Sequence, residues 1–312
     1  MWYHLDLNQG HMDFQSIALP TELWYPVKRL QIYIIFFYSK MFFKFYFSIA
    51  IVAHLAQYLE LSLCRNFNTI MRLILDFGNT YQKCAVFEKN ELVAYKRFEN
   101  IELENIKTFT NKYPQIKSAI LSSVINHKSD IISFLKENYF FLVLNHNTPI
   151  PIKNCYKTPD TLGHDRLSAA IGAAAMFPKQ NVLSIDTGTA IKFDFINNKG
   201  EYLGGSISPG LYLRFKALHT FTDKLPLIPY NEQHTLLGSD THESILSGVM
   251  NGGIAEINGM IEDYKSRFKD LKIVLTGGES IYFEKSIKSN IFADSNLVIK
   301  GLNEILKFNE EK

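Results

Sequence analysis

From residue 71 onward, short runs of leucine and β-branched residues alternate with longer stretches of helical character. Two runs echo each other. Residues 72–88 (RLILDFGNTYQKCAVFE) and 181–196 (NVLSIDTGTAIKFDFI) each begin with an apolar strand, pass through Asp-x-Gly-[Asn/Thr]-[Thr/Ala], and continue as a second strand. A glycine turn between two such runs predicts a β-hairpin. Asp76 matches Asp186, Gly78 matches Gly188, and Lys83 nearly matches Lys192. Residues 117–124, 140–144 and 272–275 add strands. Residues 165–177 are rich in alanine, a strong helix former, and Pro178 stops them. Residues 243–268 read as a second helix, weakened early by Gly248, Gly252 and Gly253. Strands mixed with helices in two similar halves predict an α/β architecture of two lobes, 71–180 and 181–312.

Residues 1–70 share none of this organisation. Their segment 31–55 (QIYIIFFYSKMFFKFYFSIAIVAHL) is long and apolar enough to span a bilayer, although Lys40 and Lys44 would be costly at its centre. Upstream, DLNQGHMDFQSIALPTELWYP looks like translation through a transfer-RNA gene, and Met71 stands directly before the organised pattern. We therefore expect 1–70 to be an N-terminal extension from a mis-assigned start, with a hydrophobic anchor as the alternative. Peptide mapping of the natural protein separates the two.

Charge narrows the function. Lys and Arg total 33 against 31 Asp and Glu, so no basic field advertises nucleic acid. The three cysteines form no CxxC, which argues against a disulfide framework and fits a reducing cytoplasm. The histidines show no HxH or HExxH spacing, so a histidine metal centre is not expected.

Several segments can carry chemistry. In DFGNT, Gly78 permits backbone N–H groups to approach a phosphate, Asn79 and Thr80 are donors, Lys83 is a cation, and Asp76 suits magnesium. A plain hairpin turn explains one copy equally well; two copies at corresponding places favour a shared phosphate site. At the start of the Ala-rich helix, Arg166 could grip a carboxylate and Asp165 could accept a proton from a hydroxyl. The plainer alternative is an N-terminal cap by Asp165 with Arg166 on a wet face. GGSISPG (204–210) reads as a glycine-rich loop. TGGE (276–279), at a strand end, would let a nucleoside lie flat on backbone.

These motifs, DFGNTYQK (76–83), Tyr156 with LGHDR (162–166), DTGTA (186–190), GGSISPG (204–210) and LTGGE (275–279), resemble in order and spacing those of the type III pantothenate kinases. That family lies within the acetate and sugar kinase, Hsp70 and actin superfamily. The resemblance implies two RNase H-like (actin-like ATPase) lobes, each a mixed sheet with flanking helices, and a nucleotide between them. It implies phosphorylation of pantothenate by ATP with Mg2+ and a monovalent cation, potassium or ammonium, in a cytoplasmic homodimer. By the same resemblance, Asp76, Phe77, Gly78, Asn79, Thr80, Tyr81, Gln82, Lys83 and Thr189 contact ATP. Tyr156, Gly163, His164, Asp165, Arg166 and Thr241 contact pantothenate, with Asp165 the proton acceptor and no separate role for His164. Asp186 would hold the monovalent cation. A kinase for another small hydroxy acid or sugar, or a nucleotide-binding regulator without catalysis, are the alternatives.

Overall fold

The computed structural model describes residues 70–311, apart from 79, 126–128 and 230–232. The apolar segment 31–55 and Asn79 lie outside the described residues. Among those described, no helix is long and apolar enough to cross a membrane.

Residues 69–312 form one compact unit holding two sheets. The first sheet contains β1 (Met71–Phe77), β2 (Gln82–Glu88), β3 (Glu91–Phe98), β4 (Ile116–Ser123) and β5 (Phe140–Val143), in the order β3-β2-β1-β4-β5. Helices α1 (Leu103–Thr110) and α2 (Ser129–Asn138) provide its crossovers. The second sheet contains β6 (Lys153–Asn154), β7 (Val182–Thr187), β8 (Ala190–Ile196), β9 (Glu201–Pro209), β10 (Lys272–Thr276) and β11 (Phe292–Ala293), in the order β11-β10-β7-β8-β9-β6.

The strand order of the first sheet recurs in the second, which adds β6 at its edge. β1 pairs antiparallel with β2 and parallel with β4; β7 pairs antiparallel with β8 and parallel with β10. Two actin-like lobes, each with a mixed sheet and flanking helices, are thus present. Leu73–Phe77 and Val182–Ile185 are buried throughout, because helices and neighbouring strands cover both faces of these central strands.

Helix α3 (His164–Met176) packs on β7 and β8. It crosses α7 (Leu297–Glu310), which returns to β1 and β4. A Cβ on Gly301 would stand 1.8 Å from the Ser168 carbonyl oxygen, and one on Gly172 would stand 2.5 Å from that of Leu297. Backbone therefore meets backbone at this crossing. Helix α7 went unread in the sequence, although Leu297, Leu302, Ile305 and Leu306 lie on one buried stripe. The second lobe is completed by α4 (Leu211–Thr220), α5 (Thr241–Arg267) and the short α6 (Ser280–Glu284).

Two expectations change. Residues 204–209 of GGSISPG are strand β9, not a loop. Gly205 is required there because a Cβ would lie 1.6 Å from the Phe193 carbonyl oxygen on β8. Of the three early glycines in α5, only Gly253 packs closely, against Leu211 and Phe283; Gly248 and Gly252 face open space.

Candidate active site

Both hairpins place an aspartate directly opposite a lysine. Asp76 on β1 pairs with Lys83 on β2, and Asp186 on β7 pairs with Lys192 on β8. Lys83 Nζ donates to Asp76 Oδ2 at 3.1 Å, and Lys192 Nζ donates to Asp186 Oδ2 at 2.7 Å. Lys192 Nζ also donates to Asp165 Oδ2 at 2.7 Å, joining the first turn of α3 to the second hairpin. Asp76 lies close enough to Asp165 and Asp186 to feel the repulsion of both.

The electrostatics follow from this crowding. Burial pushes the Asp76 carboxyl up; Lys83 opposes that shift, while Asp165 and Asp186 add to it. Burial would also raise Asp165, but the Lys192 ammonium and the N–H groups at the helix start outweigh it and hold the carboxyl below the usual range. Asp165 is therefore held ionised, and its side chain is 40% exposed.

Asp165 is not the helix cap. Gly163 holds that position, and Asp165 accepts the N–H of Arg166 at 2.9 Å from within the first turn. Nor does Arg166 lie on a wet face, since it is only 6% exposed. Its Nε and Nη2 donate to Asp194 at 3.0 and 2.7 Å, and the Tyr202 hydroxyl donates to the same carboxylate at 2.7 Å. The forked grip read from Arg166 exists, but it closes on this chain's own Asp194. The Tyr156 ring lies beside the Arg166 guanidinium, 5.7 Å from centroid to Cζ. Burial lowers the His164 imidazole, against the pull of Asp165.

The remaining candidates divide. Gly78 makes the turn, its N–H donating to the Tyr81 carbonyl at 3.1 Å. Thr80 and Thr189 are exposed in the two hairpin turns. The Phe77 side chain is buried in the first lobe's core, and Gln82 Oε1 accepts the N–H of Ile101 at 2.9 Å, so both side chains serve the scaffold. Tyr81 stacks under the Arg97 guanidinium. Thr241 stands apart at the start of α5, in a cleft of about 1160 Å³ that Leu213, Phe221 and Val249 also line.

Three further residues, which their local sequence does not mark, shape the site. Asp194 and Tyr202 hold Arg166. Glu279, of TGGE, is buried and accepts the N–H groups of Leu211 and Tyr212 at 2.9 and 3.2 Å, fixing the start of α4. Beside it, Gly277 adopts a positive φ of 100° and passes so close to β7 that a Cβ would stand 2.5 Å from Asp186 Oδ1. The glycine pair therefore backs the second hairpin turn. Among the described residues, no cluster of three or more His, Cys, Asp or Glu side chains could by itself hold a metal ion.

Comparison with known proteins agrees with this arrangement. The type III pantothenate kinase family profile matches residues 72–263. Type III pantothenate kinases from Christiangramia forsetii and Phocaeicola vulgatus are 44% and 43% identical to the chain. The matches cover 99% and 100% of those proteins, and 77% of this chain in each case. In fold, the chain is similar to a Campylobacter jejuni protein named as a Baf family transcriptional activator, with a TM-score of 0.50 and 22% identity over 77% of this chain and all of that one. The motifs, the duplicated hairpins and the relatives converge, and the chain belongs to the type III pantothenate kinase family.

Proposed function

We propose that the chain transfers the γ-phosphoryl group of ATP to the primary hydroxyl of pantothenate, giving 4′-phosphopantothenate, the first step toward coenzyme A. The observation that carries this reading is the meeting of Asp165 with both Asp-x-Gly hairpins in one charge cluster. The nucleotide would lie between the two lobes, its phosphates against Gly78 and Thr80 of the first hairpin and Gly188 and Thr189 of the second.

The hydroxyl oxygen attacks the γ-phosphorus, the new P–O bond forms as the bond to the β,γ-bridging oxygen breaks, and ADP leaves. The hydroxyl proton passes to Asp165. Because Lys192 and the helix start keep Asp165 ionised and weakly basic, the carboxylate chiefly orients the hydroxyl and takes the proton late. A loose transition state tolerates that, since phosphoryl transfer depends on positioning and charge neutralisation. Asp76 would help hold Mg2+ through water rather than directly, because the Lys83 ammonium already donates to its carboxylate. When bound with ATP, the ion supplies neutralisation of the phosphate oxygens. A monovalent cation at Asp186 does not fit, because the Lys192 ammonium already stands there.

We also propose a cytoplasmic homodimer with pantothenate bound at the subunit interface. The apolar cleft between α4 and α5, with Leu213 and Phe221 exposed in it and Thr241 at its edge, supports that face. Light scattering is expected to give twice the chain mass; a fully active monomer would refute the dimer. The activity itself is tested by screening ADP release against pantothenate, other small hydroxy acids and sugars. Release is expected with pantothenate. Release with another acceptor alone would make this a different small-molecule kinase, and ATP binding without release would make it a regulator.

A further inference from the structure

The resemblance to the family brings an activating monovalent cation to Asp186, and the structure disagrees. Lys192 lies directly opposite Asp186 in the β7–β8 register. Its ammonium donates to Asp186 Oδ2 and Asp165 Oδ2, each at 2.7 Å, the length of a charge-assisted bond. Its side chain is only 16% exposed, so the stem is packed and the charge is held in place. An alkyl ammonium carries the same single positive charge as potassium or ammonium. Tethered here, it is present at every site at any salt concentration. A second monovalent cation on Asp186 would have to displace this group or bind against its charge at contact distance. The first hairpin shows the same device, with Lys83 on Asp76.

We propose that the Lys192 ammonium takes the place of the monovalent cation at Asp186, so that phosphoryl transfer by this chain needs neither potassium nor ammonium. The inference rests on the pantothenate kinase reading. Lys192 acts as a positioning residue. It holds Asp165 at the helix start and neutralises Asp186 beside the second hairpin turn.

The test uses the full chain with magnesium ATP and pantothenate, in potassium chloride or in tetramethylammonium chloride of equal ionic strength. Turnover is expected to be the same in both salts. A loss of about tenfold or more on removing potassium would overturn the inference while leaving the kinase reading intact; absence of turnover in both salts would overturn that reading and the inference with it. Lys192→Ala is expected to lose roughly 10²-fold in kcat without potassium. Added ammonium or methylammonium should restore much of it, a rescue that a purely structural lysine would not show. Full activity of Lys192→Ala in tetramethylammonium would also overturn the inference. A readout independent of turnover is thermal melting. Wild type should melt at the same temperature in both salts and Lys192→Ala higher in potassium, whereas a potassium-dependent rise in wild type would contradict the proposal. If Lys192→Ala does not fold, the two wild-type comparisons decide the matter alone.

Discussion

Asp165→Asn lowers kcat by about 10²- to 10⁴-fold and leaves ATP affinity and melting temperature near those of wild type. The substitution keeps the shape of the side chain and the bond it accepts from the Arg166 N–H. Lys192 retains Asp186 as a partner, so the cluster does not fall apart. What disappears is the negative charge that orients the hydroxyl and the base that takes its proton. Steady-state kinetics with calorimetric titration of ATP makes the comparison. Near-normal turnover in this variant would remove Asp165 from the mechanism.

Arg166→Met produces the largest loss of stability, about 3–5 kcal/mol, because it strands a buried carboxylate. Asp194 is only 2% exposed, and burial already lifts its carboxyl above the usual range, with the Arg166 and Tyr202 bonds pulling the other way. Without the guanidinium, the Tyr202 hydroxyl is the remaining donor described to it. Denaturant titration measures the loss. Adding Asp194→Leu is expected to recover most of the stability, since replacing a whole buried pair by apolar groups is often neutral. The double variant should keep a raised KM for pantothenate if Arg166 also serves the substrate, and a wild-type KM if its whole role is to brace α3 through Asp194. A single variant that unfolds like wild type would show that the ion pair is not structural.

The chemistry-bearing hairpins were legible in the sequence because their signal is local. Asp-x-Gly after an apolar strand marks a turn, and its repetition marks a duplicated lobe, which the matched sheet orders bear out. The partners of those residues were not legible, because they come from elsewhere in the chain. Nothing near Arg166 announces Asp194, which sits on β8, and nothing near Asp165 announces Lys192. The glycines of 204–210 were misread for a related reason. A glycine marks a turn and a close strand approach with the same letter, and at Gly205 the β8 backbone decides which. Phe77 and Gln82 lie inside the first motif, yet their side chains point into the scaffold; a period of two along β1 and β2 separates such positions from Asp76 and Lys83. Helix α7 carried a readable apolar stripe, and its role as the element returning to the first sheet emerges only from the crossing of Gly301 over Ser168.

The most direct test of the account is the identity of the phosphorylated product. The full chain and the segment 71–312 are each incubated with magnesium ATP and pantothenate, and mass spectrometry and phosphorus NMR quantify phosphate on pantothenate against ADP released. The expected result is one 4′-phosphopantothenate for each ADP. ADP release without phosphate on pantothenate, or ATP binding with no transfer in a folded protein, would contradict it.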